Sequence, residues 1–310
     1  MSTAAVGIRG SDGVTLVTAD AEAGIRSLPE NSVDCLVTSP PYWRLRDYAP
    51  DVWTGNQPDC RHRPAGRSDE GPGRWRCRDC GACREHPQIG LEPTADDYIA
   101  TLRAVFGEAR RVLTPRATVW VNLGDSYSTN SDGYWCAVPG QTGQPHYRPR
   151  ADVPHKNLLG MPWRLAFALQ GDGWILRSAI VWCKPHSTPT PIRDRLAARH
   201  EMIFLLVAQP DHHFDCDSIR QVSCDPGDVW SILPNRARIG HPAVSPLEIP
   251  FRCVAAGCPP GGHVLDPFSG SGTTGVAARA LGRRFTGIDT NPAYHAFAFQ
   301  RIARAEGGTR

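Results

Sequence analysis

Long apolar runs are missing from this 310-residue sequence. The longest clean one, Ile203 to Ala208, is far too short to cross a bilayer. The N-terminus also lacks the basic, apolar and cleavage segments of a secretory signal. The chain is therefore read as cytoplasmic, with no membrane partner. A strong charge imbalance is absent too: 34 Lys and Arg stand against 31 Asp and Glu, a net charge of +3. That surplus does not demonstrate a nucleic-acid partner. It does not oppose one either, because basic stripes can be local. No internal repeat or heptad run is present, which excludes solenoids and coiled coils. Cysteine is plentiful, but eleven is an odd number in a chain long enough to build a full core without staples. Cys35, Cys136, Cys183, Cys216, Cys224, Cys253 and Cys258 are scattered singly and read as reduced, buried thiols.

What is present reads as alternating strands and helices. Val14 to Val17 and Val33 to Val37 are short β-branched runs bounded by turn signals, as buried parallel strands are. Thr118 to Leu123, Ile175 to Trp182, Met202 to Ala208, His263 to Leu265 and Phe285 to Ile288 complete a set of seven strands. Helices are predicted over Glu22 to Leu28, Asp96 to Leu113, Leu165 to Gln170, Leu247 to Ala256 and Thr274 to Leu281. Two stretches break the pattern. Residues 55–90 are rich in Arg, Gly and Pro, poor in aliphatics, and hold four close cysteines. Residues 126–160 form a long Gly-, Pro-, Ser- and Tyr-rich loop, the kind that is usually functional or disordered.

Two motifs carry chemistry. The first is Asp266-Pro267-Phe268-Ser269-Gly270-Ser271-Gly272-Thr273, placed between a strand and a helix, with Asp289 ending the next strand. This is nucleoside-binding logic: glycines admit close backbone approach, and the second acid accepts hydrogen bonds from ribose hydroxyls. The third glycine of the usual fingerprint is missing, so the turn alone is also compatible with an ordinary strand-helix-strand connection. The second motif is Ser39-Pro40-Pro41-Tyr42, at the carboxyl end of a strand, where open α/β sheets place ligands. Neither proline has a backbone N–H, and both fix φ. Their carbonyls and the Ser39 hydroxyl can accept both protons of an exocyclic amine, while Tyr42 offers a flat stacking face. A nitrogen held in line with a sulfonium methyl reacts largely through positioning.

With both motifs in view, the sequence resembles the beta-group DNA amino-methyltransferases, the S-adenosylmethionine-dependent cytosine-N4 and adenine-N6 family. Several segments carry the likeness besides the motifs: Asp20 with Leu28 to Asp34, Asn122 to Tyr127, Trp182 to Pro185, Asp194-Arg195, and His200-Glu201. His241-Pro242-Ala243 and Ser245-Pro246-Leu247 resemble the segment that closes over S-adenosylmethionine. The resemblance implies an α/β fold: a seven-stranded, mostly parallel Rossmann-like sheet, circularly permuted so that the clamp precedes the glycine turn. It implies Ser39, Pro40, Pro41 and Tyr42 as catalytic residues. It implies Asp20, Asp266, Phe268, Ser269, Gly270, Gly272, Thr273, Asp289, His241 and Ser245 on the cofactor side. Double-stranded DNA is the implied partner, with the target base flipped out of the helix. A cognate restriction endonuclease is compatible with it, and no stable protein partner is implied. In this family Ser at the first clamp position usually goes with cytosine N4, and Asp with adenine N6. Methylation at cytosine carbon 5 needs a cysteine nucleophile, typically in a Pro-Cys pair, and the chain has no such dipeptide. Trp43 or the 126–160 loop could fill the gap left by the flipped base, and Arg44 and Arg46 are candidates for phosphate contact or for a solvated face. The other readings are an adenine-N6 enzyme, the same chemistry on RNA or on a glutamine amide of a protein (which the clamp-first order argues against), and a non-catalytic zinc-containing DNA-binding protein on a methyltransferase scaffold.

The expected organisation is a catalytic domain over 1–54 and 91–310, an insertion over 55–90, and a DNA-facing lid over 126–160. Within the insertion, Cys60, His62, Cys77 and Cys80 suit tetrahedral structural zinc, with Cys83 and His86 as further candidates. Free thiols in a flexible loop are the plainer reading of the same residues.

Overall fold

The computed structural model describes residues 7–46, 48, 52–55, 59–60, 75–85, 88–129, 149–185, 193–222, 227–235 and 244–307. In chain order the elements are β1 (Gly7–Ser11), β2 (Val14–Thr18), α1 (Ala21–Arg26), β3 (Val33–Thr38), β4 (Val52–Thr54), β5 (Trp75–Arg76) and β6 (Cys83–Glu85). There follow α2 (Ala95–Val112), β7 (Leu113–Leu123), α3 (Met161–Gly171), β8 (Ile175–Cys183), β9 (His200–Val207), α4 (Cys216–Val222) and β10 (Val229–Ser231). The chain closes with α5 (Glu248–Gly257), β11 (His263–Asp266), α6 (Thr273–Ala280), β12 (Arg284–Asp289) and α7 (Pro292–Gly307).

Two compact units share the chain. The first comprises residues 1–40, 102–125 and 160–310, and the second comprises 41–101 and 126–159. The first holds a nine-stranded sheet in the order β1-β2-β12-β11-β3-β7-β9-β8-β10. Its centre is the seven strands expected from the sequence, and the short β1 and β10 extend the two edges. From β2 to β7 the pairings are parallel, while β9 runs antiparallel to both β7 and β8.

Side-chain alternation sorts the two faces. Phe285 packs with Cys35, Val37, Trp120, Cys253 and Val254 in the main core, which α4 to α7 cover. Ile288, of opposite parity on β12, meets α1: a Cβ at Gly24 would lie 2.6 Å from it. Phe204 on β9 likewise faces away from Ile203 and Leu205 and makes an edge-to-face contact with Trp163 of α3. The sheet is thus covered on both sides, as a parallel sheet must be.

Of the thiols read as buried, Cys35, Cys253 and Cys258 are buried in this core. Burial pushes the Cys35 and Cys253 thiols well above their ordinary range and Cys258 up to about 12. Cys183 and Cys216 are only half-buried, because they sit at the ends of β8 and α4. Cys136 and Cys224 lie outside the described residues.

The second unit holds a small antiparallel sheet in the order β4-β6-β5. It also contains an isolated antiparallel bridge between Tyr127 and Leu158.

Candidate functional site

Within the first unit, β11 and β3 lie side by side and parallel. From β11 the chain passes through α6 to β12 on one side, whereas β3 is paired with β7 on the other. Their carboxyl ends therefore flank the topological switch point, where sheets of this kind bind ligands. The sequence places the clamp after β3 and the glycine turn after β11. A direct bond ties the two strand ends: Thr38 Oγ1 donates to Asp266 Oδ1 at 2.6 Å, across 228 residues of chain. The same carboxylate accepts from Phe268 N at 3.1 Å and from Thr274 Oγ1 at 2.7 Å. Burial pushes the Asp266 carboxyl up to about 6, against the opposing pull of Thr38, Thr274 and Phe268. Asp266 is thus an internal brace that shapes the turn.

The turn itself is tightly held. Gly270 and Gly272 both have positive φ, +46° and +73°. Ser269 N donates to Ile288 O, and Gly270 N donates to Asp289 Oδ2, each at 2.9 Å. Asp289 Oδ1 accepts from Asn291 N at 2.8 Å. Each carboxylate oxygen of Asp289 keeps a second acceptor position, and burial raises its pKa against these two bonds. Arg301 of α7 donates to Ser271 O and Ser271 Oγ at 2.7 and 2.9 Å, bracing the turn from behind. Ser269 Oγ is buried without a hydrogen-bond partner among the described residues. Phe268 is half-buried and Thr273 opens α6. Asp20 stands exposed after β2, the neighbour of β12, and caps α1 through Ala23 N. Ser245 is half-buried ahead of α5, and His241 lies outside the described residues.

Farther along the same edge, Asn122 at the end of β7 donates to Glu201 Oε2 at 3.2 Å. Glu201 also pairs with Lys184, whose ammonium sits 4.4 Å from the Trp182 ring centroid.

The division between units falls inside the clamp, between Pro40 and Pro41. Ser39 is half-buried and Pro40 buried. In the second unit Pro41 O accepts a 2.8 Å hydrogen bond from the buried Tyr98 hydroxyl. One lone pair of that carbonyl is therefore already engaged. Tyr42 is half-buried, and Arg44 N donates to Gly90 O at 2.7 Å. Gly90 has φ +102°, and a Cβ there would lie 3.2 Å from Pro41 Cβ, so a side chain at this position beneath the clamp would be strained. Two expectations are corrected here. Trp43 is buried, with Nε1 donating to Glu92 O at 2.9 Å, so it does not fill a gap in DNA. Arg44 is buried with its guanidinium 5.1 Å from the Trp43 ring centroid, so it neither meets phosphate nor forms a solvated face.

Also in the second unit, Cys60, Cys77 and Cys80 bring their sulfurs within 4.8 Å of one another. Cys77 and Cys80 lie in the turn of the β5–β6 hairpin, closed by Cys77 N to Ala82 O at 2.7 Å and Gly81 N to Cys77 O at 2.9 Å. Asp79 N donates to Cys77 Sγ at 3.4 Å. Cys83 is not part of this group, and His62 and His86 lie outside the described residues.

Residues 33–300 match the family model described as DNA methylase, the N6/N4 class. The chain belongs to this family. It is a DNA amino-methyltransferase of the beta group. It is 37% identical to the type II methyltransferase M.Cfr9I of Citrobacter freundii, over 94% of this chain and 88% of that protein. It is 38% identical to M.SmaI of Serratia marcescens, over 93% and 90%. Among solved structures it resembles the PvuII cytosine-N4-specific DNA methyltransferase, with a TM-score of 0.63 at 16% identity, covering 95% of this chain and 91% of that one. A second likeness is to a putative DNA modification methylase of Thermus thermophilus, complexed with S-adenosyl-L-methionine. Its TM-score is 0.57 at 22% identity, over 94% and 93%. At these identities the structural likeness is one of fold.

Four supporting residues of this methylase escape the motif reading: Thr38, Thr274, Arg301 and Tyr98. Thr38 and Thr274 border the two motifs directly, but their supporting role is not legible from the motif itself. Arg301 and Tyr98 act across more than 25 residues of chain, and no local pattern marks them.

Proposed function

We propose that the protein is a type II, site-specific DNA methyltransferase that methylates N4 of a cytosine flipped out of the duplex, with S-adenosylmethionine as donor. The observation that carries this is the Thr38–Asp266 bond, which fastens the strand feeding the clamp to the strand feeding the glycine turn. When bound, S-adenosylmethionine supplies an electrophilic sulfonium methyl. The residues present suit it: Asp289 retains acceptor capacity for ribose hydroxyls, and Ser269 Oγ is a buried group in want of a partner. Asp20 and Ser245 would line the same cofactor, and Asp266 would act through the turn it holds. The Ser39 hydroxyl and the Pro40 carbonyl accept the amine protons and draw the nitrogen lone pair out of conjugation. Pro41, its carbonyl turned to Tyr98, fixes the backbone of the clamp, and Tyr42 provides the stacking face. Amine methylation so arranged needs no covalent intermediate.

Cytosine is favoured by Ser39, which stands where adenine-directed relatives usually carry Asp, and by the specificity of the PvuII enzyme. Digestion of duplex DNA after incubation with enzyme and donor, followed by mass spectrometry of the nucleosides, should return N4-methylcytosine. N6-methyladenine alone would refute the base assignment, and no methylated nucleoside would refute the function.

The second-unit cysteines are proposed to hold a structural zinc through Cys60, Cys77 and Cys80, with His62 as the fourth ligand. Elemental analysis should find one zinc per chain and none in Cys80→Ser. A zinc-free, fully stable wild type would sink this assignment.

A further inference from the structure

Burial of Trp43 leaves the space vacated by a flipped base without an occupant from the clamp. The connection between β8 and β9 offers a better candidate. Its base is closed by paired groups: Lys184 N donates to Arg199 O at 2.8 Å, and the Lys184 ammonium is paired with Glu201 on β9. Its described outer part reads Arg193-Asp194-Arg195-Leu196-Ala197-Ala198-Arg199. Leu196 is 91% exposed, far more than any other large apolar side chain described. Arg195 Nη1 reaches the Leu196 carbonyl at 3.0 Å, and Arg193 and Arg199 are exposed on either side.

A solvated leucine forgoes about 1.5–3 kcal/mol of burial, so folding gains nothing by holding it out. Duplex DNA is a matching partner, being an apolar stack of bases sheathed in phosphates. An exposed apolar side chain with Arg193, Arg195 and Arg199 within three residues of it along the chain offers groups for both layers. The location fits as well. β8 runs parallel to β7, since both oppose β9, so this connection leaves the sheet at the same edge as β3. Three strand spacings separate β8 from β3. At roughly 4.8 Å each they make about 14 Å, close to the width of a DNA major groove.

We propose that Leu196 is a wedge that enters the base stack beside the target and holds the duplex open, while Arg193 and Arg199 grip the flanking phosphates. Apolar side chains inserted at a base step are a known means of offsetting unstacking. This inference rests on the methyl-transfer reading above. The test uses full-length enzyme and a duplex bearing the site that methylation-sensitive sequencing of DNA from expressing cells returns. A second duplex carries an abasic site opposite the target base, so that little opening work remains. On the paired duplex, Leu196→Ala should lower kcat/KM about tenfold, a modest part of the few kcal/mol that unstacking costs. On the abasic duplex the same variant should stay within about twofold of wild type, because the base is already unpaired. Leu196→Met, still apolar and long, should restore activity on the paired duplex. Wild-type rates for Leu196→Ala on both duplexes, or equal losses on both, would overturn the wedge. A wild-type enzyme that methylates neither duplex would instead overturn the function on which it rests.

Discussion

Ser39 stands one residue beyond the end of β3, and Asp266 is the last residue of β11, the strand beside it. They are expected to respond very differently to substitution. Ser39→Ala removes an acceptor for the amine and little else. Turnover should fall about 100-fold, the scale of a lost positioning contact, while calorimetric affinity for S-adenosylmethionine is unchanged. Asp266→Asn should instead show itself in the pH dependence of stability. The native carboxyl, raised by burial, keeps its proton up to about pH 6, whereas the unfolded chain releases it near 3.8. Between those values the native state binds the extra proton, so stability falls as pH rises through the window. Wild-type stability relative to Asp266→Asn should therefore drop by up to about 3 kcal/mol from acid to neutral pH, measured by urea unfolding. A pH-independent difference would mean that the carboxyl is not held protonated.

At the scale of elements, the glycine turn combines two positive-φ glycines with hydrogen bonds from Ser269 N and Gly270 N to β12. Gly270→Val would place a β-branched residue at φ +46°, a left-handed conformation costing roughly 1–2 kcal/mol even for ordinary residues. It would also disturb the amide that Asp289 holds. Cofactor binding by calorimetry should disappear while the protein remains folded; wild-type affinity would refute the assigned turn. This turn was legible in the sequence because its signals are local: an apolar strand, two glycines, a helix start and a following acid. The central strands were legible for the same reason, being short apolar runs between turn residues. β1 escaped because Gly7-Ile8-Arg9-Gly10-Ser11 has no alternation, and β10 because three residues hold no pattern. α4 and α7 carry helix-start signals in the sequence. Asp215 caps α4 through Ser218 N, and Asn291 precedes Pro292, with its side chain accepting from Ala293 N. The brace from Arg301 to Ser271 spans 30 residues and had no such signal.

At the scale of the whole molecule, a net charge of +3 understates what a DNA enzyme can present locally. Binding to a duplex should weaken at least about tenfold between roughly 50 and 200 mM salt, as two or more phosphate contacts require; fluorescence anisotropy would measure it. A salt-independent affinity would exclude a phosphate-gripping surface. The two families of cysteine have a practical consequence. Cys35, Cys253 and Cys258 are sealed in the core with suppressed ionisation, whereas the sulfurs of Cys60, Cys77 and Cys80 cluster in the second unit. Alkylating reagents attack thiolates, so the first three should stay silent until the first unit opens. Peptide mapping after iodoacetamide treatment thus reads two events separately in one tube: modification of Cys60, Cys77 and Cys80 reports a vacated cluster, and modification of the core set reports global unfolding.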